Sequence, residues 1–217
     1  MEFERVLHLI EKSRHKNLPA DKAHRLMMAS EVRKQIFKDV AYDSPPRNSA
    51  VLALIYPDQT QQARMVFILR KTYNGHHSGQ ISFPGGKQEV FDSDLITTAL
   101  RETEEEIGVH PELIHIVRNL SPVFIPISNY KVQPYLAIAN QPLQFVKDPI
   151  EVEDILSLDI EQILHNDLID ISHTYFGKTY NLKAFKVENI KIWGATAMIL
   201  SEIVCLLKGD QLKNRQL

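Results

Sequence analysis

Hydrophobic and polar positions follow two different rhythms along the 217-residue chain. Up to about residue 40 the rhythm is helical. Phe3, Val6, Leu7 and Ile10 recur at helix spacing, and "ADKAHRLMMASEVRKQIF" carries one or two more helices. "DSPPRNS", with its paired prolines, breaks the pattern. Beyond it the runs are strand-like. "AVLALIYP" and "RMVFILRK" flank the polar loop "DQTQQA", and "GQISFPGG" reads as a short strand ending in a Pro-Gly-Gly turn. A helix is predicted over 93–107 with Ser93 as N-cap. "VRNLSPVFIPISNYKVQPYLAIA" reads as strands broken by prolines, "LDIEQILHN" as a short helix, "DISHTYFGKTYNLKAFKV" as a hairpin and "GATAMILSEIVCLLK" as a final helix. Mixed strands with helices before, between and after them predict a layered α/β (α+β) fold. Residues 1–45 read as a helical extension, and residues 46–210 as the main part of a single domain.

Composition narrows the function classes. The chain is 44% hydrophobic with a net charge of −2, so it has a sizeable core and no basic footprint for nucleic acid or an anionic membrane. No apolar run reaches the roughly 18 residues of a membrane span. The single cysteine, Cys205, lies in an apolar run and reads as a buried small residue, which leaves no disulfide or cysteine metal site within one chain. "MEFERVLHLIEK" is amphipathic and unlike a signal peptide. The expectation is a soluble protein of a reducing, cytoplasmic compartment.

The chemistry concentrates in "ALRETEEEIGV". On a helical wheel advancing about 100° per residue, Glu102, Glu105 and Glu106 share an arc of about 100°, Glu104 falls elsewhere, and Ile96, Leu100, Thr103 and Ile107 form an apolar stripe. Like charges at these spacings destabilise a helix by about 0.2–0.5 kcal/mol per pair, and the helix dipole disfavours anions late in the helix. A solvated acidic face is the bland explanation. A hard divalent cation such as Mg²⁺ or Mn²⁺, held by oxygen ligands, resolves the repulsion. Arg101 stands i,i+4 to Glu105. Upstream, Gly85 and Gly86 suit either a tight turn or a close approach of backbone to a ligand. Neither a dinucleotide-binding nor a P-loop glycine signature is present.

Taken together, "GGKQEVFDSDLITTALRETEEEIGV" resembles the Nudix box, G-x5-E-x7-R-E-U-x-E-E-x-G-U with U a bulky aliphatic. Gly86, Arg101, Glu102, Glu105, Glu106, Gly108 and Val109 match. Asp92 stands where the first glutamate belongs, one residue further from the arginine, and Thr103 occupies an aliphatic position. "ILRKTYNGHHSGQISFPGG" is similar to the extra motif of the coenzyme A pyrophosphatase branch, with Arg70, Gly79, Phe83, Pro84, Gly85 and Gly86 matching and Gly75 where a second arginine is expected.

The resemblance implies a Nudix-type α/β/α sandwich with a mixed central sheet and added N-terminal helices. It implies hydrolysis of a nucleoside diphosphate linked to another moiety, with Mg²⁺ or Mn²⁺ held by Glu102, Glu105, Glu106 and the Gly85 carbonyl. Arg101 orients the carboxylates, and Arg70, Gly85 and Gly86 contact substrate. Within that reading the substrate is CoA or a derivative, cut to 3′,5′-ADP and 4′-phosphopantetheine. ADP-ribose, a dinucleoside polyphosphate or a non-catalytic nucleotide-binding module are the alternatives. A homodimer is common in similar proteins. His76 and His77 read as loop residues without a ligand role. Glu151, Glu153 and Asp154 read as a solvated strand edge, with a metal ligand from outside the box as the alternative. Trp193 reads as core, with stacking on adenine as the alternative.

Overall fold

The computed structural model describes residues 1–28, 30–38, 44–72, 79–175 and 177–208. Three helices open the chain: α1 (Phe3–Ser13), α2 (Ala20–Met27) and α3 (Ser30–Lys38). The strands follow as β1 (Arg47–Pro57), β2 (Ala63–Arg70), β3 (Ile81–Ser82) and β4 (Gly85–Lys87). After helix α4 (Leu95–Ile107) come β5 (His115–Asn119), β6 (Val123–Ile125), β7 (Tyr130–Ile138) and β8 (Val152–Asp159). The chain continues through α5 (Ile160–His165), β9 (Leu168–Tyr175), β10 (Lys178–Val187), β11 (Ile190–Ile192) and α6 (Gly194–Lys208).

Among the described residues the strands form two sheets. The larger has the core order β3-β2-β1-β7-β5, with β4 also pairing β1, β6 pairing β7 and β8 pairing β2. Strands β1 and β7 run parallel in an unbroken register from Arg47 opposite Tyr130 to Ile55 opposite Ile138, whereas the other pairs are antiparallel. The smaller sheet is the meander β9-β10-β11.

The continuous apolar runs are explained by burial on both faces. In β1, Ala50, Leu52, Leu54 and Tyr56 face a core shared with Ala99 and Ile107 of α4, while Ala53 and Ile55 face a second core with α1, α2, α5 and α6. Strand β2 divides in the same way, Val66 and Ile68 against Met65 and Phe67. The result is a mixed sheet between helical layers, as the apolar pattern and the motif resemblance both led us to expect.

Several local expectations are corrected. Helix α4 is capped by Asp94, whose carboxylate accepts from the Thr97 N–H at 2.7 Å; Ser93 instead shares a hydrogen bond with the Thr97 hydroxyl. The double glycine is not a turn but the start of β4, paired with Ala50 and Val51. Ile96 lies on the exposed side of α4, and its place on the inner face goes to Ala99 and to Glu106. Cys205 is half-buried rather than fully enclosed, and burial pushes its thiol up to about 11. No helix among the described residues is long and apolar enough to cross a membrane.

The N-terminal helices are tied to the core by a buried carboxylate. Glu202 of α6 is fully buried and accepts from the Ala20 N–H (3.0 Å), the Ser121 N–H (2.9 Å) and the Ser121 hydroxyl (2.6 Å).

Candidate functional site

Helix α4 lies against β4, a strand whose first two residues have no side chains. This bare strand lets the helix approach. A Cβ on Gly86 would overlap the Glu102 carboxylate, and a Cβ on Gly85, whose φ is +143°, would overlap the β1 backbone at Ala50 and Val51. The three glutamates on one arc of the wheel therefore meet three environments. Glu106 is buried: one carboxylate oxygen accepts from the Gly85 N–H at 2.8 Å and the other from Arg70 at 3.3 Å. Glu102 is half-buried, with its carboxylate against Gly86 and 2.8 Å from the Arg101 guanidinium. Glu105 is exposed and pairs with Arg101 at 2.8 Å. Glu104 is exposed on another side, 3.8 Å from His110.

Electrostatics follow from this grading. Burial pushes the Glu106 carboxyl up to about 8, against the opposing pull of the Gly85 N–H and Arg70 and with added repulsion from Glu102 and Glu151. Burial also raises Glu102, partly offset by Arg101. Asp92 has the opposite environment. Its buried carboxylate takes two hydrogen bonds of 3.0 Å from Arg101 and one each from the Glu89 N–H and the Thr98 hydroxyl at 2.9 Å, and it is held well below the usual carboxylate range chiefly by Arg101. Asp92 thus anchors the arginine that holds Glu102 and Glu105. This is the part played by the residue that departs from the box spacing. Thr103, the other departure, is buried and returns its hydroxyl to the Ala99 carbonyl at 2.7 Å.

Among the described residues, no three Asp, Glu, His or Cys side chains converge closely enough to hold a metal ion. Glu102 and Glu106 abut the Gly85–Gly86 backbone, whereas Glu105 is exposed and pairs with Arg101. The donors that do meet are all oxygens, and two carboxyls are raised by burial, with added repulsion from neighbouring carboxylates. That set fits a hard divalent cation, which stabilises the ionised forms. Arg70, at the end of β2, bridges Glu106 and, at 4.0 Å, Glu151. Glu153 instead pairs with Lys71 at 3.2 Å. His76, His77 and Gly75 lie outside the described residues.

Arg70, Gly85, Gly86, Glu102 and Glu151 line one cavity of about 910 Å³. Trp193 lines it too, rather than being core alone. Arg33, Arg47 and His173, not singled out from the sequence, also line this cavity. They come from α3, the start of β1 and β9, so only the fold unites them.

A mixed sheet between helices, with a glutamate helix packed on a glycine strand, defines a carboxylate-site α/β/α sandwich. A model of the Nudix domain family matches residues 46–169, more than half of the chain, and the chain belongs to that family. Nudix hydrolase 15, mitochondrial, and Nudix hydrolase 22, chloroplastic, both of Arabidopsis thaliana, are each 32% identical over 162 residues. Each match covers 71% of this chain but only 56% and 53% of those proteins, so the chain spans about half their length. The uncharacterized Nudix hydrolase NudL of Yersinia pestis is 29% identical over 167 residues, covering 75% of this chain and 80% of that protein. Nudix hydrolases in general use divalent cations.

Proposed function

We propose that the chain hydrolyses a nucleoside diphosphate linked to another moiety, with CoA or a CoA derivative as the preferred substrate and Mg²⁺ or Mn²⁺ as cofactor. One observation carries this reading: Glu102, Gly85, Gly86 and Arg70 line a cavity large enough for a nucleotide, and the same Gly85 N–H and Arg70 hold the buried Glu106 carboxyl.

Glu102 and Glu106 would hold the cation, joined by the Gly85 carbonyl and by Glu105 once it leaves Arg101. Bound there, a divalent cation neutralises the diphosphate and lowers the pKa of a coordinated water. The rest of the work falls to the chain. The side-chain-free Gly85–Gly86 backbone lets β1 and the Glu102 carboxylate pack directly against it. Arg70 offers a guanidinium, suited to a phosphate oxygen pair. Arg101 is a positioning residue: Asp92 fixes its guanidinium from one side while it holds Glu102 and Glu105 on the other. The preference for CoA rests on the resemblance of the Arg70–Gly86 segment to the CoA pyrophosphatase motif. A small-molecule substrate is the only partner this reading requires; a homodimer is compatible with it.

The test is turnover by the purified chain with Mg²⁺ or Mn²⁺ on CoA, ADP-ribose, diadenosine polyphosphates and nucleoside triphosphates, with products resolved by chromatography. CoA cut to 3′,5′-ADP and 4′-phosphopantetheine is the expected result. Preference for ADP-ribose or a dinucleoside polyphosphate overturns the substrate, and no turnover of any compound leaves a non-catalytic nucleotide-binding module.

A further inference from the structure

Strand β9 is the outermost strand of the smaller sheet: among the described residues it pairs with β10 and with no other strand. Alternate residues of an antiparallel ladder point their N–H and C=O away from the partner, so this edge presents a row of main-chain donors and acceptors. Other outer strands of the molecule are guarded. β3 is two residues long and β11 three, and β5 shifts register against β7 between Ile116 and Arg118. β8 pairs with β2 through a register shift between Leu69 and Arg70 and carries Glu153, Asp154 and Asp159. β9 is built otherwise. It runs eight residues, "LIDISHTY", in unbroken register with β10, with no proline, glycine or lysine. Its one carboxylate, Asp170, is paired with Lys183 of β10 at 2.8 Å. Its two faces differ. Leu168, Asp170, Ser172 and Thr174 are exposed on the outer face, whereas Ile169, Ile171, His173 and Tyr175 alternate with them on the inner face and are only partly buried.

A strand added to this edge has to offer apolar side chains on the inner face and polar ones on the outer face. β9 is itself such a strand. A two-fold axis perpendicular to the sheet at Ser172 lays a second β9 antiparallel to the first and keeps inner face with inner face. In that register Ile171 stands opposite His173 of the second copy and Ile169 opposite its Tyr175, aliphatic against aromatic. On the outer face Asp170 stands opposite Thr174 of the second copy, and the two Ser172 residues face each other. No like charges are opposed, and two three-stranded sheets become one of six strands. The neighbouring register, with Ile171 on the axis, makes the two Asp170 carboxylates diagonal neighbours and leaves Tyr175 with no opposite residue in β9. We propose that the β9 edge is the contact between two copies of this chain, paired antiparallel about Ser172. Thr174 and Tyr175 lie on the far wall of the cavity that holds the carboxylate site, so the second copy brings its Asp170 and Ile169 to the rim of that site.

The test is sedimentation velocity of the full chain over a dilution series in the micromolar range. A dimer that dissociates on dilution is the expected result. Ser172 is exposed, so a charge there leaves the fold of one copy intact while acting on the axis. Ser172→Lys sets two lysines face to face and Ser172→Asp two aspartates, and each is expected to weaken the dimer at least about tenfold. An equimolar mixture of the two variants should recover the dimer, because each mixed pair sets lysine against aspartate. That recovery separates repulsion from misfolding, and circular dichroism with a thermal melt of each variant checks the fold directly. A parent chain that is monomeric throughout the series overturns the proposal. So does a dimer that both charges leave intact, and so does a mixture of folded variants that stays monomeric.

Discussion

The backbone N–H of Gly85 donates to the buried carboxylate of Glu106 at 2.8 Å, joining β4 to α4 through two residues 21 positions apart. The contact exists because β4 has no side chains at its first two positions, so a helix carboxylate can reach main chain. Removing the charge tests what that carboxylate does. Glu106→Gln keeps the shape and an acceptor for Gly85, and is expected to lower turnover at least about a hundredfold with the melting temperature nearly unchanged. Steady-state rates and a thermal melt check both; activity within a few-fold of the parent would remove Glu106 from the metal set.

Glu104 and Glu105 are adjacent and both exposed, yet the outcomes should differ. Glu104→Gln is expected to leave turnover within about twofold. Glu105→Gln should lower it more than about tenfold, because Glu105 both pairs with Arg101 and is the third carboxylate proposed for the cation. Equal rates for the two variants would mean that Glu105 belongs to the solvated face.

The two glycines should fail in opposite ways. At Gly85 the obstacle to a Cβ is the β1 backbone at positive φ, so Gly85→Ala is expected to cost about 2–3 kcal/mol of stability. At Gly86 the obstacle is the movable end of the Glu102 side chain, so Gly86→Ala should fold nearly normally and lose activity. Chemical denaturation alongside rates distinguishes them. The same loss of stability in both would contradict the geometry.

Asp92 should appear in the acid limb of stability. Its folded-state pKa lies below the value of about 3.9 for a free carboxyl, so its contribution is fully present above about pH 4 and is lost as pH falls toward the folded-state value. Asp92→Ala is expected to cost about 3 kcal/mol near pH 7, because it leaves Arg101 without its buried partner, and the gap to the parent should close below pH 4. A gap that stays constant to pH 2.5 would show that the interaction is not ionic.

Glu202 should hold the N-terminal helices in place. Glu202→Ala strands the Ser121 N–H, the Ser121 hydroxyl and the Ala20 N–H in the interior, and is expected to cost about 3 kcal/mol, or roughly 6–12 °C in melting temperature. Limited proteolysis should then cut first before residue 30.

Much of this molecule is legible in its sequence because the signals are local. Continuous apolar runs such as 50–57 mark strands, and the helix and its glutamates are read directly from "ALRETEEEIGV". Motif spacing identified Gly86, Arg101, Glu102, Glu105 and Glu106 as candidates, and the family match agrees with the motif. A wheel, however, knows only one helix. It grouped three glutamates as equals, and it assigned Ile96 rather than Glu106 to the inner side. What lies against α4 is β4, delivered by pairing with β1, and burial by that bare strand grades Glu106, Glu102 and Glu105. Asp92 looked like a spacing error until folding brought it against Arg101, nine positions away. The far wall needed still longer range: Arg33, Arg47, His173 and Trp193 have no common spacing, and one cavity contains them only because α3 packs on the β9-β10-β11 sheet. Sequence by itself determined the elements, the family and the candidate carboxylates, since those depend on near neighbours. Tertiary structure alone decided which carboxylate is buried, what holds the arginine and what surrounds the ligand, since burial and charge coupling depend on distance in space.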